Sequence, residues 1–163
     1  MSDIHSIRLH GPWEIRLLPV PVAVPVRQRI QMPDGWNSLE LPAETTECRL
    51  LRGFNSPTGL GPGTDVWLVF EVSHWDATLL LNQTKLGRIA PAPAPQRFLV
   101  TDLLQPRNEI EVQLKLRDSG EVVSSKIGLA VDRNVNQAAI SKYRVERIGL
   151  EISRSRSFPS QQD

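Results

Sequence analysis

The chain has 163 residues, 40% hydrophobic and 23% charged, and its nineteen basic and eighteen acidic side chains leave a formal net charge of +1. That length suits one domain with its own core and is too short to add a catalytic (β/α)8 barrel of about 250 residues, while the balanced charge offers no footprint for nucleic acid or an anionic membrane. The single Cys48 excludes an internal disulfide and a cysteine-based zinc site, and the absence of a leader-like start or a run of about 18 apolar residues makes a cytoplasmic location the expectation.

In chain order, Ile7 and Leu9 and then Trp13, Ile15 and Leu17 mark two strand-like pieces separated by Gly11-Pro12. From Pro19 to Met32 the apolar residues Val20, Val22, Val24, Val26, Ile30 and Met32 share one parity, with Pro19, Pro21 and Pro25 on the other. Prolines lack the amide hydrogen that a central ladder needs, so this segment belongs at a sheet edge or in an extended connection. Glu40, Glu44 and Glu47 surround Cys48 as a solvated polar stretch, and no nearby histidine is available to activate the thiol. Residues Arg52 to Thr64, with Gly53, Gly59, Gly61 and Gly63, read as one long loop, the first candidate rim of a site.

Four segments then alternate apolar residues or end in a turn signal: Val66 to Val72, Ala77 to Gly87, Phe98 to Leu104 and Asn108 to Leu116. Ala90 to Pro95 is a stiff extended crossover. Asp118 to Ser141 holds one strand-like run within Val122 to Val131, and Asn134 to Ser141 reads as loop or a short helical turn. Ile148 to Ile152 is a final strand. The expected organisation is one β-sandwich domain over residues 1–153 and a disordered tail over 154–163. If Phe70 faces the core, so do Val66, Leu68 and Val72, and Trp67 and Val69 point outward with Leu80 and Leu99. These four form the expected interface patch, covered by another part of the protein or by a second chain.

The order of these pieces carries a resemblance. Leu9-x-Gly11-x-Trp13, Pro33-x-x-Trp36, the Phe70 strand, Ala77-x-Leu79-x-Leu81-Asn82, Leu86-Gly87, Phe98-x-Val100-Thr101-x-x-Leu104 and Asn108-x-Ile110-x-Val112 follow one another as in the sugar-binding domain of family 2 glycoside hydrolases. The resemblance spans nearly the whole chain. It implies an all-β, galactose-binding-domain-like jelly-roll β-sandwich, the module that precedes the catalytic barrel in β-galactosidases and β-glucuronidases. The sequence departs from that pattern where Asn82-Gln83 replaces an Asn-Gly turn, which predicts a longer or different turn, and where both arginines of the Tyr-Arg-Arg-x-Phe strand are missing from Val66 to Phe70.

The function this implies is noncatalytic carbohydrate binding of a galactoside or glucuronide type, with no cofactor and no metal. A sugar site needs an aromatic platform beside planar polar groups. The candidates are Trp36 in its Pro33-Asp34-Gly35 turn, Phe54 and Asn55 in the Gly-rich segment, Asp65, and Asp132, Asn134 and Asn136 before the closing strand. Asn55, Asp65, Asp132, Asn134 and Asn136 come from the resemblance, by location in the two loops through which this domain reaches a neighbouring active site. Packing is the competing role for both aromatics. The alternative function is an assembly module that self-associates or docks to a separate glycosidase chain through Trp67, Val69, Leu80 and Leu99.

Overall fold

Apolar alternation resolves into ten strands in a computed structural model that describes residues 3–19, 28–39, 41–42, 44–72, 75–90, 94–116 and 144–154. In chain order they are β1 (Asp3–Arg8), β2 (Trp13–Leu18), β3 (Gln28–Ile30), β4 (Glu47–Asn55), β5 (Thr64–Val72), β6 (Ala77–Leu81), β7 (Thr84–Ile89), β8 (Gln96–Leu99), β9 (Arg107–Lys115) and β10 (Val145–Arg154). A four-residue helix, α1 (Asp34–Asn37), follows β3, and a 3-10 turn spans Thr101–Leu103.

Two antiparallel sheets face each other, one ordered β1-β10-β5-β8 and the other β3-β2-β4-β9-β6-β7. Their inner faces take alternate residues, so Val66, Leu68 and Phe70 of β5 meet Leu79 and Leu81 of β6 and Ile110, Val112 and Leu114 of β9 in one core. The expected all-β jelly-roll sandwich is the architecture found. Its closing strand is β10, which inserts between β1 and β5 with Ile148, Leu150 and Ile152 inward. Gly149 lets β1 approach closely, since a Cβ there would lie 2.6 Å from the Ile7 carbonyl oxygen.

Several sequence expectations need correction. Ala77 to Gly87 is a hairpin of β6 and β7 whose two-residue turn, Asn82-Gln83, keeps both residues at positive φ (50° and 68°). No longer turn is needed, because Asn82 Nδ2 donates to the Leu103 carbonyl (3.2 Å) and Oδ1 accepts the Glu109 amide (2.9 Å). Phe98 to Leu104 is strand only through Leu99; the Thr101 hydroxyl then accepts the Val66 amide (2.9 Å) in place of a ladder partner. β4 continues to Asn55, paired with β9 throughout, so the connection after it covers only Ser56 to Gly63. β3 does lie at a sheet edge, whereas Val20 to Val26, the Val122–Val131 run, Asn134 to Ser141 and the tail beyond Arg154 lie outside the described residues.

The outward patch is divided. Trp67, Val69 and Leu99 are on the outer face of the four-stranded sheet, but Leu80 is on β6 of the other sheet and points to the opposite side of the sandwich. Parity within a strand fixes its two faces, not the sheet to which it belongs. Val69 is fully buried between Gly149 and Arg97 on its neighbouring strands, leaving Leu99 (50% exposed) and the half-buried Trp67.

Around Val69 runs a charge network that joins three strands. Glu151 accepts from Arg97 Nε (2.9 Å) and Arg147 Nη2 (3.0 Å), and Arg147 Nε donates to Glu71 (3.0 Å). The Arg97 hydrogen bond, opposed by burial and helped by Arg147, holds the Glu151 carboxyl below the usual carboxylate range. Its stabilising contribution is therefore present above its unfolded value of about 4.3 and is lost as pH falls through the lower folded value. Urea midpoints measured in steps from neutral pH into acid should fall less steeply below about pH 4 in Glu151→Gln than in the native chain. An identical acid slope would show that Glu151 is not held by the two arginines.

Candidate functional site

At one end of the sandwich the sheets part around an open cleft of about 1020 Å³. β4 and β9 supply one wall. The inward parity of β4 runs Cys48, Leu50, Arg52, Phe54, and that of β9 runs Leu114, Val112, Ile110, Asn108 in register with it. Past the core residues Leu50 and Ile110 this face ends in Arg52, Phe54 and Asn108, which line the cleft. Ile7 and Leu9 from β1 and its exit, with Leu150 of β10, form the facing wall, and Asn55, Asn82, Gln83 and Gln105 stand around the opening.

Asn108 ties the rim together. Its Oδ1 accepts the Gln105 amide (2.8 Å) and Asn82 Nδ2 (3.0 Å), while Nδ2 donates to the Gln105 carbonyl (2.7 Å) and Ser56 Oγ (3.2 Å). Three connections are thereby fixed to one buried amide. The side chains of Asn55, Gln83 and Gln105 have no hydrogen-bond partner among the described residues. Arg52 Nη1 donates to the Pro12 carbonyl (3.1 Å), its Nε is buried without an acceptor, and burial lowers the guanidinium pKa.

The structure sorts the candidates. Phe54 and Asn55 come together in the cleft, Phe54 half-buried with part of its ring against the core. Trp36 is only 1% exposed, on α1, with its ring edge-on to Trp75 (centroids 5.5 Å apart, 62°), and has no face left for a sugar. Asp65 is exposed on the outer face of the four-stranded sheet, away from the cleft. Asp132, Asn134 and Asn136 lie outside the described residues. Sequence reasoning missed Arg52, Asn82, Gln83, Gln105 and Asn108 as cleft residues. The continuing parity from Cys48 through Phe54 was the available signal for Arg52.

Other chemistry finds little support in the described residues. Burial, with the Glu47 charge adding to it, pushes the Cys48 thiol up to about 12, so the sulfur stays protonated and inaccessible. Asp76 pairs with Arg88 (2.7 Å), which lowers the carboxyl pKa. No group of three or more metal-ligating side chains assembles among the described residues, and none of the helices described there is long and apolar enough to cross a membrane.

Sandwich and cleft together define a jelly-roll domain with a ligand-sized opening at one end. Its fold is shared with solved glycosidases. One is a Bifidobacterium dentium β-glucuronidase complexed with coumarin-3-O-glucuronide, at 18% identity and TM-score 0.65, covering 93% of this chain and 30% of that one. A putative β-galactosidase from Bacteroides fragilis matches at 15% identity and TM-score 0.60, covering 93% and 23%. A third, described as a β-glucuronidase from glycoside hydrolase family 2, matches at 16% and 0.59, covering 93% and 18%. The likeness is to a single domain, since the chain spans 18 to 32% of the length of such enzymes. No protein-family model and no curated protein matches the sequence.

Proposed function

We propose that this chain is a noncatalytic carbohydrate-binding module whose site is the cleft at the end of the sandwich. The observation that carries the reading is Phe54 in a cleft whose lining includes Asn55, Gln83 and Gln105. An aromatic ring stacks on the apolar C–H face of a sugar, and planar amides exchange hydrogen bonds with its hydroxyls. The fold's likeness to β-glucuronidases and a putative β-galactosidase supports a glycoside as ligand. Asp132, Asn134 and Asn136 remain part of the proposal through their position before β10. The described residues form a sandwich and contain no barrel, which supports a binding role over a catalytic one.

Titration with galactosides, glucuronides and their β-linked oligomers should raise the melting temperature saturably for one of them. Phe54→Leu keeps apolar volume but removes the ring, and should weaken that binding about fivefold, the loss expected when a stacking contact worth about 1 kcal/mol disappears. A flat response across the whole panel would reject the carbohydrate reading.

Assembly is the second reading, favoured by Trp67, Leu99 and Ile4 on the outer face of the four-stranded sheet, where Leu99 and Ile4 are 50% and 58% exposed. A mass that rises with concentration and falls to monomer in Leu99→Lys would support it.

A further inference from the structure

We propose that the cleft selects an anionic saccharide, with a carboxylate or sulfate of the ligand received by Arg52 and attracted at longer range by the exposed rim arginines Arg107 and Arg8. This rests on the carbohydrate reading and adds charge to it. Arg8, Arg52 and Arg107 line the cleft against Glu109, the one carboxylate among its described lining residues. The ion pairs of the described residues engage none of these three arginines.

Arg52 is the centre of the argument. Its inward position on β4 places a guanidinium where the neighbouring pairs hold Leu50 against Val112 and Phe54 against Asn108. An arginine is used poorly there by the protein itself. Of five N–H donors, one bonds the Pro12 carbonyl and Nε is buried with no acceptor. A charged donor left unsatisfied away from water is costly, and an oxyanion is the group that fits the guanidinium fork best. Arg8 and Arg107 are exposed, so their share is long-range attraction that salt screens. Phe54, two residues along β4 on the same face as Arg52, accounts for the ring of the saccharide, leaving the oxyanion to Arg52.

The test compares four probes on the intact chain by calorimetric titration: a uronic acid trisaccharide, the same trisaccharide with its carboxyls reduced to alcohols, a sulfated neutral trisaccharide, and the non-sugar tricarboxylate tricarballylate. The acidic trisaccharide should bind about tenfold or more tighter than its reduced form, the advantage expected of a charge-assisted hydrogen bond, and should weaken as salt is raised. Arg52→Gln should abolish that difference. Should Arg52→Gln fail to fold, Arg107→Gln at the exposed rim still reads the inference, through a several-fold loss for the acidic probe alone. Preference between the uronate and sulfated probes identifies which oxyanion is used.

Equal affinity for the acidic and reduced trisaccharides would overturn the anion inference and leave the carbohydrate reading standing. Tricarballylate binding as tightly as the acidic trisaccharide would instead remove the sugar from the proposal. Silence from all four probes would overturn both.

Discussion

Replacing Trp36 with alanine is expected to lower the unfolding free energy by about 3–5 kcal/mol, a large share of the roughly 5–15 kcal/mol that holds a domain together. The indole is 1% exposed and packs edge-on to Trp75, which in turn lies 6.5 Å from Phe70 between ring centroids. Truncation would leave a cavity bounded by these rings and detach α1, whose Asn37 side chain both donates to and accepts from the Val145 backbone (3.0 Å each). Urea unfolding followed by tryptophan fluorescence measures the loss. In conditions where the variant remains folded, its sugar affinity should match that of the native chain. An unchanged urea midpoint together with lost sugar binding would return Trp36 to the surface and to the ligand.

Asn108→Ala should cost about 2–4 kcal/mol, because four hydrogen bonds of a buried amide disappear and each is worth roughly 1 kcal/mol, more where the remaining partner is left unsatisfied. Its effect should also be local. Ser56, Asn82 and Gln105 belong to three different connections, and amide hydrogen exchange at Gln105 and Glu109 should speed up well beyond the change at Leu68 in the opposite sheet. Uniform acceleration at all of these amides would mean that Asn108 supports the whole sandwich and has no special hold on the cleft.

Much of the sandwich is legible because half-buried strands write their burial as alternation. Val66, Leu68, Phe70 and Val72 announce β5, and Ile148 to Ile152 announce β10. Legibility fails where a face carries something other than an apolar residue. Arg52 occupies an inward position of β4 and Gly53 follows it, so a nine-residue strand reads as the start of a loop. Trp36 reads as a turn residue, and a short turn does not reveal that Trp75, thirty-nine positions later, packs against it. The split of Trp67 from Leu80 follows from sheet order, and the Glu71–Arg147–Glu151–Arg97 network from cross-strand register. Phe54 and Asn55 are legible as a pair because they are neighbours in the chain, while Asn82, Gln83 and Gln105 come from segments whose approach no local pattern encodes.

Asn82 and Gln83 both occupy the left-handed region, where a side chain costs about 1–2 kcal/mol relative to the right-handed form. What offsets this comes from Leu103, Asn108 and Glu109, more than twenty residues further along the chain. The β6–β7 hairpin is thus not self-sufficient: its reversal is conditional on β9 already being in place. The lip of the cleft and the centre of the six-stranded sheet then form a single cooperative unit. A molecule that grips Asn82 or Gln83 draws on the folding equilibrium of the entire domain, and ligand affinity and resistance to unfolding become two readings of one thermodynamic linkage.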